Sequence, residues 1–237
     1  MVIYFRSIED GEHWSSISDL MAGLMMIFLL IAIAYMHNIA QGQQKIKKIA
    51  VTYHEAQVAL YEKLNEEFKE DLPKWQAIID KETLSIQFFE PDILFQTGKA
   101  DVTPKFKDIL DNFFPRYLNI IFSDEFKDTI AEVRIEGHTS SEWSTGTSSP
   151  DEAYFNNMQL SQERTRSVLV YCYSITQKNN YKNLMQQHVT ANGLSSSKLV
   201  YNDDGTEDKA RSRRVEFRTR TNAENRIVQI LDELKND

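Results

Sequence analysis

Residues 17–36 of this 237-residue chain read ISDLMAGLMMIFLLIAIAYM. A helix that crosses about 30 Å of hydrocarbon needs about 20 mostly apolar residues, and this stretch supplies them. Trp14 and Tyr35 lie near its ends, where amphipathic aromatic rings favour the membrane interface. The sequence therefore predicts one N-terminal transmembrane helix at residues 14–36, behind a short segment of residues 1–13 that lacks the basic start of a signal peptide.

One acid, Asp19, lies about one turn inside this apolar stretch. A charged side chain in the bilayer costs about 2.5–3.5 kcal/mol even on insertion scales, so such residues are usually functional. One interpretation is an acid held near the headgroups by the dipole of the helix N-terminus. The interpretation we favour is a protonatable group in an ion path, because Ala22 and Gly23 follow it and let another helix approach closely.

The charges on the two sides of this helix bear on its orientation. Lys45, Lys47 and Lys48 follow the helix, whereas Arg6 is the one arginine or lysine before it. Taken alone, the positive-inside rule places the C-terminal side in the cytoplasm.

Residues 37–71 read as a helical linker between the membrane and the rest of the chain. They contain one glycine and, until Asp71-Leu72-Pro73, no helix-ending signal. One face carries a seam with 3-4 spacing, formed by Ile46, Ile49, Tyr53, Ala56 and Leu60. Such a seam pairs either with a second copy of the chain, as a dimeric coiled coil, or with the C-terminal domain, and the spacing leaves both open.

The remaining composition excludes several classes of function. The formal net charge is −8, which argues against non-specific binding to nucleic acid. A single cysteine, Cys172, forms no intramolecular disulfide and no cysteine-based zinc site. We interpret it as a buried thiol on a helix.

Residues 72–221 mix strand and helix patterns. Strands are predicted at residues 84–89, 133–136, 189–192 and 215–220, and helices at 103–121, 160–173 and 222–237. Thr103 and Pro104 are typical of the N-cap and first position of a helix. Strands separated by helices in one domain predict an α+β sandwich, followed by a C-terminal amphipathic helix at residues 222–237.

Five ordered blocks in this region resemble the OmpA-like peptidoglycan-binding domain. In order, they match that family's patterns F-x-x-G-x-x-x-L-T-P, then G-H-T-D, then N-x-x-L-S-x-x-R, then G-x-G or an equivalent, then N-R-R-V-E. The blocks are ILFQTGKADVTP (93–104), VRIEGHTSSEW (133–143), NNMQLSQERTRSV (156–168), TANGLSSS (190–197) and SRRVEFR (212–218). The resemblance implies a βα sandwich in the periplasm that binds the diaminopimelate stem of peptidoglycan.

The resemblance also implies site residues. Arg164 takes the place of the cation that binds the ligand carboxylate, for which a guanidinium fork is suited. Asn157 and Leu160 align with the corner that shapes the pocket, and His138 and Thr139 with the loop that faces it.

The chain also departs from the family pattern at one ligand position. Arg213 and Arg214 match the terminal basic pair, of which one is expected to face the ligand or hold a loop. Ser140 stands where the family has its ligand-binding aspartate, which puts recognition of the amine in doubt. Glu142 or Asp151 are candidates to replace that acid, and no metal site is expected at His138 because no partner ligands share its spacing.

The whole layout resembles the flagellar stator subunit MotB, which combines one membrane helix, a helical linker and an OmpA-like domain. Trp14 and Asp19 are similar to the start of that family's membrane helix, and residues 16–36 are more similar still to the MotB-like subunits of Zorya anti-phage defence systems. The resemblance implies a single-pass protein of the bacterial inner membrane, with a cytoplasmic N-terminus and a periplasmic C-terminal domain. That orientation opposes the one given by the lysines.

The same resemblance implies a motor rather than an enzyme, without a cofactor. Two copies are expected inside a ring of a polytopic MotA-like subunit (ZorA in Zorya systems), with five ring copies to two. Asp19 is expected to bind the translocated ion, H⁺ rather than Na⁺, while the C-terminal domain holds peptidoglycan and cytoplasmic defence effectors receive the movement. A flagellar stator subunit and a passive wall tether are the alternatives.

Overall fold

The computed structural model describes residues 9–89, 91–143, 149–176, 181–222 and 228. The helices in this part of the chain are α1 (Glu9–Phe68), α2 (Leu72–Trp75), α3 (Pro91–Leu94), α4 (Pro104–Ile121), α5 (Pro150–Thr176), α6 (Lys182–His188) and α7 (Lys209–Ser212). The strands are β1 (Ala77–Asp80), β2 (Ser85–Phe88), β3 (Ile130–His138), β4 (Val189–Gly193) and β5 (Arg214–Thr221). The described residues up to 50 form one compact unit, and those from 51 to 222 form another.

Helix α1 contains the apolar stretch on which the fold prediction began. Within the described residues, α1 is the one helix long and apolar enough, by length and composition, to cross a membrane. The predicted N-terminal apolar helix is therefore confirmed, and the residues expected to form a helical linker continue the same helix as far as Phe68.

The last turns of α1 belong to the core of the second unit. Leu60, Leu64 and Phe68 recur at four-residue spacing and are 1%, 0% and 0% exposed. The sequence left two partners open for the seam, a second copy of the chain or the C-terminal domain. The C-terminal end of the seam packs on the C-terminal domain of its own chain. The folded unit accordingly begins at residue 51 rather than at residue 72, because this helix face supplies core side chains.

The sheet is mixed, and its strands lie in the order β1-β2-β5-β3-β4. Strands β3 and β4 are parallel, with α5 and α6 between them in the chain, and the other neighbours are antiparallel. Strand β5 lies between β2 and β3, so the residues at its start face the end of β3, where His138 pairs with Arg214.

Aromatic side chains of α4 fill the core beside the sheet. Thr103 caps α4 by accepting a hydrogen bond from the Phe106 amide at 3.1 Å, and Pro104 occupies the first turn, as predicted. Phe113 lies 5.1 Å from both Phe88 and Phe217, measured between ring centroids. These rings fix α4 against the centre of the sheet.

The predicted elements that fall within the described residues are present, most of them with longer bounds, although β2 and α4 are slightly shorter than predicted. The strand predicted at 133–136 spans residues 130–138, and the helix predicted at 160–173 spans 150–176. Strand β1 and the short helices α2, α3, α6 and α7 were not predicted. The C-terminal helix predicted at residues 222–237 falls almost entirely outside the described residues.

Candidate functional site

The apolar part of α1 has its side chains uncovered. None of its membrane-span window is buried within the chain, and Trp14 and Phe28 are 70% and 62% exposed. An apolar surface of this extent requires lipid or a partner. Asp19 is exposed on this helix, and the neighbouring Ser18 hydroxyl is already used, since it donates to the Trp14 carbonyl at 2.9 Å.

A second candidate site is a small pocket where β3 ends, β5 begins and α5 crosses them. We call it the basic pocket. Its polar lining comes from His138, Ser161, Arg164, Arg213 and Arg214, and its remaining lining from Leu94, Phe95, Gly137 and Val215. The described lining thus holds three arginines and no carboxylate.

Gly137 lets α5 come close enough to build this pocket. A Cβ atom at this position would lie 2.6 Å from Thr165 Cγ2 and 3.0 Å from the Ser161 carbonyl oxygen. Both distances are shorter than van der Waals contact, so the close approach requires glycine. It places Arg164, the residue before Thr165, over the end of β3.

Arg164 is held in a fixed orientation by neutral groups. Its Nε donates to the Lys99 carbonyl at 2.9 Å, and its guanidinium carbon lies 4.8 Å from the centre of the Phe95 ring. Burial, together with the nearby Arg213, lowers the pKa of Arg164 to about 10. In the described part of the chain no carboxylate forms an ion pair with it, so its charge is available to a ligand.

The buried polar side-chain atoms that lack a hydrogen-bond partner in the described residues all lie at this pocket or beside it. They are both ring nitrogens of His138, the hydroxyl oxygen of Thr139 and Nε of Arg213. Such atoms are rare in folded proteins, and each one calls for an explanation such as a bound ligand or water. Their clustering makes the basic pocket a candidate binding site.

Behind His138 lies a buried ionic cluster that the sequence analysis did not find. Glu136 and Glu216 face each other across β3 and β5, and His138 Nε2 lies 3.9 Å and 3.5 Å from their carboxylates. Arg214 Nε donates to Glu216 at 2.6 Å, and Arg218 lies 3.7 Å from Glu136. The two acids lie opposite each other because of the register of β3 with β5. The sequence blocks 133–143 and 212–218, which contain them, do not show this register.

Charge balance decides what this cluster is. Glu136, His138 and Glu216 each offer a ligand atom, and these atoms lie within 4.8 Å of one another. The two arginines already neutralise the two carboxylates, so a divalent cation would have to displace them. The arrangement therefore fits a structural ion cluster better than a metal centre.

Electrostatics keep the His138 ring neutral. Burial, and after it the charges of Arg214, Arg218 and Lys198, lower the pKa of His138 to about 3. Burial also raises the pKa of Glu136 above its ordinary value. A neutral imidazole offers one hydrogen-bond donor and one acceptor to a ligand.

The two arginines of the terminal basic pair have different surroundings. Arg214 is buried, and besides Glu216 it donates to the carbonyls of Lys198 and Ser212 at 3.2 and 3.3 Å. Arg214 therefore holds the chain before β5, whereas Arg213 lines the basic pocket with a buried Nε that has no hydrogen-bond partner among the described residues.

The remaining predicted site residues lie around the pocket rather than in its lining. Asn157 is buried, and its amide donates to the carbonyls of Ser140 and Glu142 at 3.2 and 3.0 Å, so it shapes the loop after β3. Leu160 is half-buried on α5, and Ser140 is buried in that loop. Neither residue lines the pocket.

The acids considered as replacements for the family's aspartate are directed elsewhere. Glu142 forms an ion pair with Lys209, with 2.5 Å between its Oε1 and the Lys209 Nζ. Asp151 is exposed in the first turn of α5. Another acid near the loop, Glu207, accepts hydrogen bonds from the amide and hydroxyl of Ser141. None of the three lines the basic pocket.

Comparison with known proteins gives two sequence relatives and a shared fold. No family model matches the chain. The Zorya protein ZorB of Escherichia coli strain Crooks is 51% identical over 95% of this chain and 94% of its own length. The ZorB of Escherichia coli O139:H28 is 26% identical over 90% of this chain and 82% of its length. A MotB-like protein from Desulfovibrio vulgaris, with 19% identity and a TM-score of 0.50, covers 72% of this chain and 97% of its own, and so shares the fold.

Proposed function

The chain belongs to the ZorB family of Zorya proteins, and from that membership and the two sites above we propose that it is the wall-anchored subunit of an ion-driven membrane motor in anti-phage defence. It acts without enzymatic chemistry of its own and without a cofactor. Its partners are a second copy of the chain, a ring of the MotA-like subunit ZorA, and peptidoglycan. The family membership favours defence over a flagellar role.

The position of Asp19 carries this proposal. Its carboxylate lies on an apolar helix whose side chains are uncovered, so in a membrane it must face either lipid or another protein. Lipid is the costly choice, by about 2.5–3.5 kcal/mol even on insertion scales. A surrounding ring of helices with a water-filled path removes that cost and gives the ion a site.

The motor mechanism follows from one charge that changes state. An ion that enters from one side neutralises Asp19, and its release to the other side restores the charge. Each change alters which contact with the ring is favourable, so the ring steps around the inner helices. A membrane potential of 100 mV supplies about 2.3 kcal/mol per charge, enough to bias such a step. We propose H⁺ as the ion.

Rotation of the ring needs a part of the complex that stays fixed, and the basic pocket supplies the attachment. A partly buried arginine with no acidic partner among the described residues suits a carboxylate, as offered by peptide stems of the wall. The folded domain therefore lies in the periplasm and the N-terminus in the cytoplasm. Movement of the ring then reaches cytoplasmic effectors.

The motor proposal is tested by substitution of Asp19 in cells that carry the full defence system. Asp19→Asn removes the titratable group with almost no change in size and should abolish phage protection at normal expression. Asp19→Glu keeps the group and should retain partial protection. Glu62→Gln, an exposed acid on the same helix, serves as the matched control and should protect fully. Full protection by Asp19→Asn would leave a passive wall tether as the better description.

The wall attachment is tested separately with purified peptidoglycan sacculi. Arg164→Ala should release most of the full-length protein from a sacculus pull-down, because it removes the guanidinium that is held in the pocket. Arg166→Ala changes an exposed arginine two residues along the same helix and should bind as the unsubstituted chain does. Equal binding by the two variants would remove Arg164 from the site.

A further inference from the structure

The charges of the basic pocket select the chemistry of the group that it holds. Its described lining presents Arg164 and Arg213, neither of which has an acidic partner among the described residues, and it contains no carboxylate. We infer that the pocket binds a peptide carboxylate through these two arginines and accepts wall stems whether the neighbouring side-chain amine is free or acylated. This inference rests on the proposed attachment to peptidoglycan and specifies which stems are bound.

The geometry of Arg164 favours a carboxylate on an aliphatic chain. The Phe95 ring and the carbonyl of Lys99 hold the guanidinium in place, so its unused N–H groups keep one direction. A planar fork in a fixed position matches the two oxygens of a carboxylate. Leu94 and Val215 line the same pocket and suit the methylene groups that carry such a carboxylate.

Arg213 adds a second positive charge on the same pocket. Its Nε is buried and has no hydrogen-bond partner in the described residues, which is costly unless a ligand accepts that hydrogen. The charge of Arg213 also contributes to the lowered pKa of Arg164, because two nearby positive charges repel each other. An anion between the two guanidinium groups accepts the hydrogen bond from Arg213 Nε and offsets the repulsion between their charges.

The described lining of the pocket offers an ammonium group no anionic partner. Ser140 stands where the resemblance places an aspartate, Glu142 is paired with Lys209, and Glu207 is used by Ser141. The described acceptors that remain without a hydrogen-bond partner beside the pocket are the His138 ring and the Thr139 hydroxyl, and both are uncharged. A neutral imidazole accepts a hydrogen bond from an amide N–H as well as from an ammonium group.

The consequence concerns cross-linked peptidoglycan. In a cross-link the side-chain amine of the stem is an amide and carries no charge, so its approach to two arginines is not opposed by repulsion. A pocket that needed the free amine would bind only uncross-linked stems. The basic pocket has no described group that imposes this restriction, so it attaches equally well where the wall is cross-linked.

The experiment compares two stem peptides on the full-length chain in lipid nanodiscs. One is L-Ala-γ-D-Glu-diaminopimelate with a free side-chain amine, and the other is the same peptide with that amine acetylated, both measured by isothermal titration calorimetry. The unsubstituted chain should bind the acetylated peptide within about threefold of the free one, or more tightly. Arg213→Ala should weaken both at least about tenfold, as loss of a charged hydrogen bond predicts, and Arg166→Ala should weaken neither.

Ser140→Asp is the converse test. It restores an acid at the position that the resemblance assigns to amine recognition, so it should shift the preference at least about tenfold towards the free amine. Tenfold tighter binding of the free-amine peptide by the unsubstituted chain overturns the inference, and so does the absence of binding to either peptide. In both cases the sacculus pull-down reports independently whether attachment to the wall itself stands.

Discussion

Arg116 of α4 joins the end of α1 to the folded unit, and its removal should lower the stability of that unit. Its guanidinium donates to the Glu67 carboxylate at 2.7 Å, to the Glu67 backbone carbonyl at 2.8 Å and to the Asp71 carboxylate at 2.9 Å. It also lies 4.8 Å from the centre of the Phe68 ring. The backbone contact matters because the last carbonyls of a helix have no partner within the helix.

The expected loss for Arg116→Met is about 3–3.5 kcal/mol in the free energy of unfolding. A hydrogen bond from a charged donor to a carbonyl contributes about 1.5 kcal/mol. The two ion pairs are partly exposed, with 32% of the Arg116 side chain accessible, so each contributes only about 0.5 kcal/mol. The contact with the Phe68 ring adds about 0.5–1 kcal/mol. Methionine keeps the aliphatic packing, so the loss isolates the charged head.

Unfolding of the full-length chain in urea, followed by tryptophan fluorescence, measures this loss. Trp75 reports on the region because its ring lies 5.9 Å from Phe68. Arg166→Met is the control, since Arg166 is exposed on α5. An unfolding midpoint for Arg116→Met equal to that of the control would refute the reasoning.

The same contact predicts a pH dependence. The hydrogen bond from Arg116 holds the pKa of Asp71 below its ordinary value of 3.8. A carboxyl whose pKa is lowered by folding stabilises the folded state above the unfolded pKa, and this contribution is lost as pH falls through the folded value. The difference between the unsubstituted chain and Arg116→Met should therefore shrink below about pH 3.8.

Three further predictions concern the folded unit. Burial raises the pKa of the Cys172 thiol, so maleimide should label it only after denaturation, and rapid native labelling would contradict its burial. Gly193→Ala places a Cβ 2.3 Å from the Gln162 amide nitrogen and should lower the thermal midpoint by at least about 5 °C, read by circular dichroism. The pKa of His138 is lowered from 6.5 to about 3, so stability should fall as pH drops between these values, by up to about 1.4 kcal/mol per unit. His138→Gln should remove this slope in urea titrations, and an unchanged slope would assign it to another group.

The fold was predictable where the signal is local. Thr103 and Pro104 mark the start of α4 because capping depends on residues within one turn. Strand β1 carries no such signal: its four residues become a strand through pairing with β2, in which Ile79 lies opposite Ile86. The spacing of the seam on α1 was readable from the sequence, but its partner was not. The same spacing is found whether a helix packs on a second copy of the chain or on its own domain.

The candidate site was predictable in part for the same reason. Arg164, Arg213 and His138 were found because each lies in a motif of recognisable order, and the structure brings all three to one pocket. Glu136 and Glu216 are in the same motifs, yet their contact depends on the register of β3 with β5. Both arginines of the terminal pair line the pocket, but the pairing of Arg214 with Glu216, which leaves Arg213 without an acidic partner among the described residues, shows only in the folded structure.

The burial of Leu60, Leu64 and Phe68 decides where this chain can be cut. A recombinant fragment that starts at residue 72, where the helical pattern ends, loses three core side chains and bares the apolar groove that they fill. Full burial of each side chain contributes about 1.5–3 kcal/mol, so such a fragment should aggregate or be digested rapidly by proteases. A fragment that starts near residue 51 keeps the groove filled and is the better choice for crystallisation or for immobilisation on a sensor chip.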